Sequence, residues 1–176
     1  LAPPFDEHAP SPGYIQGYVP GIRENGGQYT HAASWAVRAC AELGWRERAL
    51  ALLEMILPVH HARTPEEVAV YQVEPYVVAA DVYAVPPHVG RGGWTWYTGS
   101  SGWLLRVALE SVLGLRTEAG SRLVLRPCVP DDWPGYRIET RVPGHGTRYA
   151  IEVRNPARCS ARVVRIERGH TAACTA

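Results

Sequence analysis

Apolar residues between His31 and Leu43 recur every three to four positions, which is the spacing of one face of an α-helix. Thr30 stands where an N-cap residue belongs, and Gly44 is a residue type that commonly ends a helix. We therefore predict a helix over this span and expect one of its faces to be buried. The residues of that face are Ala32, Trp35, Ala36, Ala39 and Leu43.

Two further stretches have a helical pattern. One runs from about Arg46 to Leu57 and ends at Pro58, and the tight Gly-Trp connection before it predicts an antiparallel helical hairpin. The other runs from Gly102 to Leu113, and either Thr98 or Ser100 is its predicted N-cap.

The segment between these helices is harder to assign. Pro75 fits the first turn of a helix that would run to Tyr83. From Ala84 to Tyr97 the chain contains two prolines, three glycines and two tryptophans, so we predict a loop there.

From Arg122 onward apolar and polar residues alternate, which is the period of a β-strand. Four strands are predicted, at Leu123–Arg126, Tyr136–Val142, Thr147–Arg154 and Arg162–Glu167. The tail after Gly169 is small and polar, and we expect it to fray. Helices followed by antiparallel strands indicate an α+β fold, or an all-α barrel fragment with a β module behind it.

Composition narrows the classes of function. The chain has 176 residues and a formal net charge of +1, so it lacks a strong field for nucleic acid or anionic membranes. Its four cysteines match no zinc or redox spacing, and His60-His61 has no third ligand nearby, so no metal site is predicted. No signal peptide or bilayer-length apolar run occurs. The Pro-rich start at Leu1, without Met, suggests a piece of a longer protein.

Three loop stretches concentrate residues suited to ligand binding: Gly21–His31, Val73–Tyr76 and Gly90–Trp103. The first has paired glycines, which let the backbone approach a ligand, beside charged and amide side chains that polyol recognition needs. Tryptophan and tyrosine combine a flat apolar face with a polar edge, which suits sugar rings. Trp96 fits a sugar-stacking role and a role as a plug of its own loop equally well.

The run Thr98-Gly-Ser-Ser101 leads into the last predicted helix. A helix start of this kind presents unpaired backbone N–H groups that hold phosphate or sulfate. His31 also lies at a helix start, and its imidazole can donate to a phosphate oxygen. An anion site is one interpretation of the Thr98-Gly99 pair; a plain N-cap beside a Gly-rich surface loop is the other.

Four ordered motifs resemble the family of inverting cellobiose, chitobiose and related disaccharide phosphorylases. They are Pro20-Gly-Ile-Arg-Glu-Asn-Gly-Gly-Gln-Tyr-Thr-His31, Val73-Glu-Pro-Tyr-Val77, Trp96-Tyr-Thr-Gly-Ser100 and Leu125-Arg-Pro-Cys-Val-Pro130. The wording of the first and third is most similar to the phosphorylase-like region of cyclic β-1,2-glucan synthases. The resemblance covers about Gly13 to Pro156, and it is strong because four motifs occur in the same order.

The resemblance implies an architecture and a reaction. Residues 1–116 would be C-terminal helical hairpins of an (α/α)₆ barrel, residues 117–168 a small β-rich domain, and residues 169–176 a frayed tail. In such enzymes inorganic phosphate attacks the anomeric carbon with inversion, while one carboxylic acid protonates the leaving oxygen. Phosphate is then a co-substrate, and no other cofactor is expected.

The resemblance also implies roles for nine residues. The phosphate-binding residues would be His31, Thr98 and Gly99. The saccharide-binding residues would be Arg23 and Glu24 at the donor sugar, Tyr18 and Tyr14 at the acceptor sugar, and Glu74 and Trp96 at the sugar-binding end of the barrel.

One departure from the family pattern limits the expected activity. The family's general acid is an aspartate in a Trp-Asn-Asp-Gly-type motif, and this chain has none; Asp6 is the only aspartate before His31. We therefore expect the isolated chain to be inactive and to need the upstream part of the same polypeptide, with β-glucan or a β-linked oligosaccharide as partner. A homodimer and a cytoplasmic location, including the cytoplasmic side of a membrane-anchored synthase, fit the resemblance. The alternative function is a non-catalytic module that binds glucan or controls its length within a synthase.

Overall fold

The computed structural model describes residues 1–5, 11–141 and 147–159. These fall in two compact units, Leu1–Val129 and Pro130–Ala176, which are described separately. The first unit contains helices and two small antiparallel sheets, and the second contains one antiparallel pair of strands. The fold class is therefore α+β, as predicted.

The first two helices form a packed pair. Helix α1 spans Thr30–Glu42 and helix α2 spans Arg46–Ile56, close to the predicted bounds. Gly44, at φ +75°, makes the sharp connection because a residue without a Cβ adopts this conformation readily. The amide of Trp45 then donates to the carbonyl of Cys40 at 2.9 Å and closes the end of α1.

The predicted buried face of α1 is wrong. The residues that are buried are Thr30, Ser34, Val37 and Cys40, whereas Trp35 and Leu43 are 53% and 63% exposed, Ala36 and Ala39 are exposed, and Ala32 is only half-buried. Apolar residues occur around most of this helix, so periodicity alone left two faces to choose between. Packing against α2 and the last helix selects the face with small side chains, which allow close approach.

The predicted helix from Pro75 to Tyr83 is also wrong. Helix α3 instead spans Pro65–Tyr71, begins where Thr64 Oγ1 accepts from the amide of Glu67 at 3.2 Å, and ends at Gln72, which has φ +54°. A short 3₁₀ turn, Pro58–His61, precedes it.

Two short strands replace the missing helix. Strand β1, Gln28–Tyr29, pairs antiparallel with β2, Asp81–Val82, so that Tyr29 lies opposite Asp81. The amide of Thr30 donates to the carbonyl of Ala80 at 2.9 Å, which extends this pairing into the start of α1. The backbone groups of residues 80–82 are thus used in pairing and are not available for a helix.

Helix α4 spans Thr98–Arg106 and continues without a break as a π-helical segment, Val107–Val112. The amide of Leu113 donates to the carbonyl of Ala108 at 2.9 Å, five residues back, as in a π-helix. The helix therefore begins earlier than Gly102. Neither Thr98 nor Ser100 is its N-cap, because Tyr97 occupies that position without a side-chain cap.

The first unit ends in a β-hairpin. Strands β3, Leu115–Glu118, and β4, Arg122–Leu125, pair with Arg116 opposite Val124. The sequence predicted β4 but missed β3. Because β3 contacts the π-helical segment, the first unit continues through this hairpin to Val129, beyond the change from helical to strand pattern near Gly114.

In the second unit, strand β5, Gly135–Arg141, pairs with β6, Arg148–Arg154, and Ile138 lies opposite Ile151. Both strands confirm the sequence prediction. The predicted strand Arg162–Glu167, the tail after Gly169 and Asp6 lie outside the described residues.

The core of the first unit lies between α1, α2 and the α4–π helix. Its most buried apolar side chains are Val37, Ala49, Leu53, Leu104, Val107 and Val112. Among the residues that the structure describes, no helix is long and apolar enough to span a membrane.

Candidate functional site

The first predicted loop is a tightly hydrogen-bonded turn at the entrance to β1 and α1. Asn25, which is 1% exposed, holds it from inside: its Nδ2 donates to the carbonyl of Tyr18 at 2.7 Å, and its Oδ1 accepts from the amide of Phe5 at 2.8 Å. The amide of Gly21 donates to the carbonyl of Asn25 at 2.7 Å, and the amide of Gly27 donates to that of Arg23 at 3.0 Å. Asn25 therefore supports the loop and does not face a ligand.

Arg23 occupies the centre of this loop. Its φ of +49° is in the left-handed region, where a non-glycine residue is strained by about 1 kcal/mol or more. Its guanidinium carbon lies 5.2 Å from the ring centroid of Tyr18, 5.6 Å from that of Tyr29 and 5.3 Å from that of Trp94. These distances are within cation–π range, so three rings together fix the position of the cation.

Glu24 lies beside this cation. Its Oε2 is 3.8 Å from Arg23 Nε, and both side chains are largely buried. Burial opposes the charge of Arg23, but the neighbouring Tyr29, Tyr18 and Glu24 oxygens outweigh it and raise the pKa of Arg23 above its usual value. The pair therefore presents a fixed donor and a fixed acceptor next to each other.

Asp81 is the functional candidate that sequence reasoning missed. Its side chain is 0% exposed, and its Oδ2 accepts from the backbone amide of Arg23 at 3.0 Å. Burial raises the pKa of this carboxyl group, although the Arg23 amide and charge act in the opposite direction. Its signal in the sequence was a charged residue inside the apolar run Val77-Val-Ala-Ala-Asp-Val82, where an aspartate is rarely buried without a specific reason.

His31 is the second residue of α1 and lies among aromatic rings. Its ring centroid is 6.4 Å from that of Tyr29, 4.9 Å from that of Trp35 and 6.0 Å from that of Trp103. Its Nε2 is buried and makes no hydrogen bond within the described part of the chain. The imidazole is thus held firmly and has one nitrogen available.

Thr98 and Gly99 form the first turn of α4 and are both exposed. A Cβ on Gly99 would meet nothing within 4 Å. Trp103 follows Thr98 by five positions, about 7.5 Å along the helix axis, and contacts His31. The start of α4 and His31 therefore lie in the same region of the first unit.

The remaining predicted residues are spread around this region. Tyr14 is 76% exposed, and its ring meets that of Tyr18 edge-on at 6.2 Å. Trp96 is 69% exposed and has φ +63°, so it projects away from the core. Glu74 is not in the cluster around Arg23. It lines an open cavity of about 450 Å³ together with Gln72, Val73, Tyr83, Arg91, Gly92, Gly93, Trp94 and Thr95.

Polar atoms without a protein partner concentrate around the Arg23 loop. Within residues 1–5, 11–141 and 147–159, the buried atoms of this kind here are Arg23 Nε, Glu24 Oε2, Gln28 Nε2, His31 Nε2 and Asp81 Oδ1. Buried polar atoms normally have partners, and a cluster of exceptions beside aromatic rings is typical of a polar ligand site. Across the same residues, no three His, Cys, Asp or Glu side chains lie close enough to hold a metal ion.

The α+β fold and this mixture of charged, amide and aromatic side chains are the features of a carbohydrate-active protein. Residues 1–114 match the catalytic domain of the glycosyl hydrolase 94 superfamily, and the chain belongs to this family.

Known relatives agree with that assignment. The chain is 47% identical over 171 residues to the cyclic beta-(1,2)-glucan synthase NdvB of Rhizobium meliloti (strain 1021), covering 97% of this chain and 6% of that protein. It is 31% identical to the solabiose phosphorylase of Paenibacillus borealis (90% of this chain, 20% of that protein). It is 28% identical to the N,N'-diacetylchitobiose phosphorylase of Vibrio proteolyticus (88% and 19%). The resemblance seen in the sequence is thus confirmed, and the chain spans a fifth or less of these relatives' length.

Proposed function

We propose that this chain supplies the phosphate pocket and part of the donor-sugar site of an enzyme that cleaves β-linked glucosides by inverting phosphorolysis. The observation that supports this most directly is the set of unpartnered buried donors and acceptors on Arg23, Glu24, Gln28 and His31, beside aromatic rings. The phosphorylases among the relatives are consistent with it.

The phosphate would bind between α1 and α4. The first amides of α4, at Thr98 and Gly99, have no acceptor within the helix, and Tyr97 provides no side-chain cap. A helix start attracts anions, and His31 Nε2 adds a donor from a firmly held ring. The exposed first turn leaves room for an anion of the size of phosphate.

The donor sugar would bind against the Arg23 loop. The Arg23 guanidinium donates to sugar hydroxyl groups, and the Glu24 carboxylate accepts from them, so the pair fixes the orientation of the ring. Tyr18 and Tyr14 extend this surface toward the acceptor sugar, and Glu74, in its own cavity with Trp94, contacts a further part of the saccharide. Trp96, exposed on the adjacent loop, offers a stacking face.

In the proposed reaction, a phosphate oxygen attacks the anomeric carbon from the side opposite the glycosidic oxygen. The bond to the leaving sugar breaks, a carboxylic acid gives its proton to the leaving oxygen, and the configuration inverts to give α-glucose 1-phosphate. Phosphate replaces the activated water, so no second carboxylate is needed as a base. The acid would come from outside residues 1–176, in a part of the polypeptide that completes the (α/α)₆ barrel.

The test uses the longest natural polypeptide that contains this chain, incubated with β-1,2-linked gluco-oligosaccharides. Release of glucose 1-phosphate that depends on added phosphate is the expected result. The variant Glu24→Ala should raise KM for the saccharide, while Glu54→Ala, an exposed glutamate on α2, is the control. Cleavage with water alone, or no cleavage of any β-glucoside with phosphate, would count against the proposal.

A second function is favoured by the similarity to a cyclic glucan synthase over 97% of the chain. In this case the same residues hold a β-1,2-glucan without cleaving it, as a binding or length-controlling module. Titration with β-1,2-glucan should then show binding that Glu24→Ala and Trp96→Ala weaken, and the complete protein should show no phosphate-dependent turnover. Changed glucan length in those variants would support this role directly.

A further inference from the structure

One buried carboxylate joins two parts of the site that are far apart in sequence. Asp81 Oδ2 accepts from the backbone amide of Arg23, 58 residues earlier, at 3.0 Å. We propose that Asp81 is a positioning residue, whose carboxylate holds Arg23 in the left-handed conformation that places its guanidinium among three aromatic rings. The functional part of this inference rests on the proposed role of Arg23 in saccharide binding.

The Arg23 backbone needs an external support. A non-glycine residue at φ +49° persists only where its surroundings hold it. The other amides of the loop bond to nearby carbonyls: Ile22 to Val19 at 3.1 Å, Asn25 to Ile22 at 3.0 Å, and Gly27 to Arg23 at 3.0 Å. The Arg23 amide differs, because its acceptor is a side chain from another element.

The backbone of Asp81 fixes the opposite wall of the same cluster. The amide of Gly93 donates to the Asp81 carbonyl at 2.8 Å, and the amide of Ala80 donates to the Trp94 carbonyl at 2.7 Å. Since the Trp94 ring lies 5.3 Å from the Arg23 guanidinium carbon, the segment at Asp81 sets the separation between the cation and this ring.

The space for the carboxylate comes from Gly93. A Cβ on Gly93 would collide with Asp81 Oδ1 and with the ring of Tyr83. Asp81 is therefore enclosed completely, at 0% exposed, and it acts on a saccharide through Arg23 and not by contact.

The experiment compares Asp81→Ala, which removes the acceptor, with Asp81→Asn, which keeps an oxygen acceptor of the same shape. The matched control is Asp132→Ala, an exposed aspartate of the second unit. All are made in the longest natural polypeptide that contains the chain. Amide hydrogen exchange is followed for residues 21–27, and exchange over α2 in the same sample reports whether the fold is intact. Kinetics with a β-1,2-linked glucose disaccharide and inorganic phosphate give KM and kcat.

In the parent protein we expect the Arg23 amide to exchange about a hundredfold more slowly than an unprotected amide. Asp81→Ala should abolish this protection and raise KM for the disaccharide about tenfold with little change in kcat. Asp81→Asn should restore both values to within about threefold of the parent. A fast-exchanging Arg23 amide in the parent overturns the proposal without any variant, as does an Asp81→Asn protein that behaves like Asp81→Ala.

The two proposals fail in different ways. If Arg23→Ala and Asp81→Ala both leave KM unchanged while Asp81→Ala still removes protection, the saccharide role of Arg23 is wrong and the positioning of its backbone stands. If Arg23→Ala raises KM but Asp81→Ala leaves protection and KM intact, the positioning role is wrong. Should Asp81→Ala fail to fold, protection in the parent and in Asp81→Asn decides the question.

Discussion

The rings of His31 and Trp103 lie 6.0 Å apart and join the start of α1 to the second turn of α4. Trp35, one turn after His31, meets both rings edge-on, at 4.9 Å from His31 and 5.7 Å from Trp103. This aromatic contact holds in one region the two helix starts that sequence reasoning assigned to phosphate.

Replacing His31 should weaken phosphate binding. Loss of one charge-assisted hydrogen bond corresponds to about a tenfold change or more, so we expect His31→Ala to raise KM for phosphate at least tenfold and KM for the saccharide much less. The control is His88→Ala, an exposed histidine of the loop after β2. Equal effects of the two variants on phosphate KM would show that His31 is not a phosphate ligand.

Gly93 and Gly102 should respond in opposite ways to alanine. At Gly93 an added methyl group meets Asp81 and Tyr83, and we expect Gly93→Ala to lower the free energy of unfolding by about 1–3 kcal/mol. At Gly102, inside α4, a Cβ meets nothing within 4 Å, so Gly102→Ala should raise the free energy of unfolding by about 0.5–1 kcal/mol. Urea unfolding measures both, and a neutral Gly93→Ala would show that the Asp81 enclosure is loose.

The second unit should lose stability at alkaline pH through Tyr136. Burial raises the pKa of this phenol from 10.0 to about 12. Because the folded pKa is the higher one, the folded state keeps the proton that the unfolded state releases. The contribution of Tyr136 to stability is therefore complete below pH 10 and is lost as the pH rises through about 12.

The test is the free energy of unfolding measured from pH 9 to 12. Tyr136→Phe should remove most of its decline over this range. Tyr149→Phe, a change on the paired strand β6, should keep the decline of the parent. The same decline in Tyr136→Phe would show that other groups cause it.

The exposed face of α1 should make the isolated chain associate with itself. Trp35, Ala36, Ala39 and Leu43 form an apolar strip along one side of this helix, and exposed strips of this kind promote association. Ala39→Glu combined with Leu43→Glu should shift the chain toward monomer in sedimentation velocity. Val68→Glu, on exposed α3, serves as the control. A parent chain that is already a monomer would contradict the prediction.

Helix bounds were predictable where local signals agreed. Periodicity and Gly44 together defined α1 and α2, and period-two alternation defined β5 and β6. Pro75 misled because proline suits a loop as well as a helix start, and the true start signal was Thr64-Pro65-Glu66. Strands of two residues, such as β1 and β2, are too short to produce a pattern.

The polar loop residues of the site were predictable from their type and spacing, and the structure brings Tyr18, Arg23, Glu24 and His31 close together. Asp81 was not predictable, because its importance comes from a hydrogen bond to a residue 58 positions away. The buried face of α1 was not predictable either, since the choice between two apolar faces depends on neighbouring helices.

The π-helical segment has a consequence for how this chain tolerates changes in length. Val107 and Val112 are each 1% exposed although five residues separate them, a spacing that would turn an α-helix well past the core. The wider winding brings both side chains to the same side. Deleting one residue between them would restore regular α-helical winding and rotate everything downstream, including the connection to β3, by about a quarter of a turn or more. A deletion here thus acts as a phase error of the whole hairpin, whereas a point substitution affects one contact.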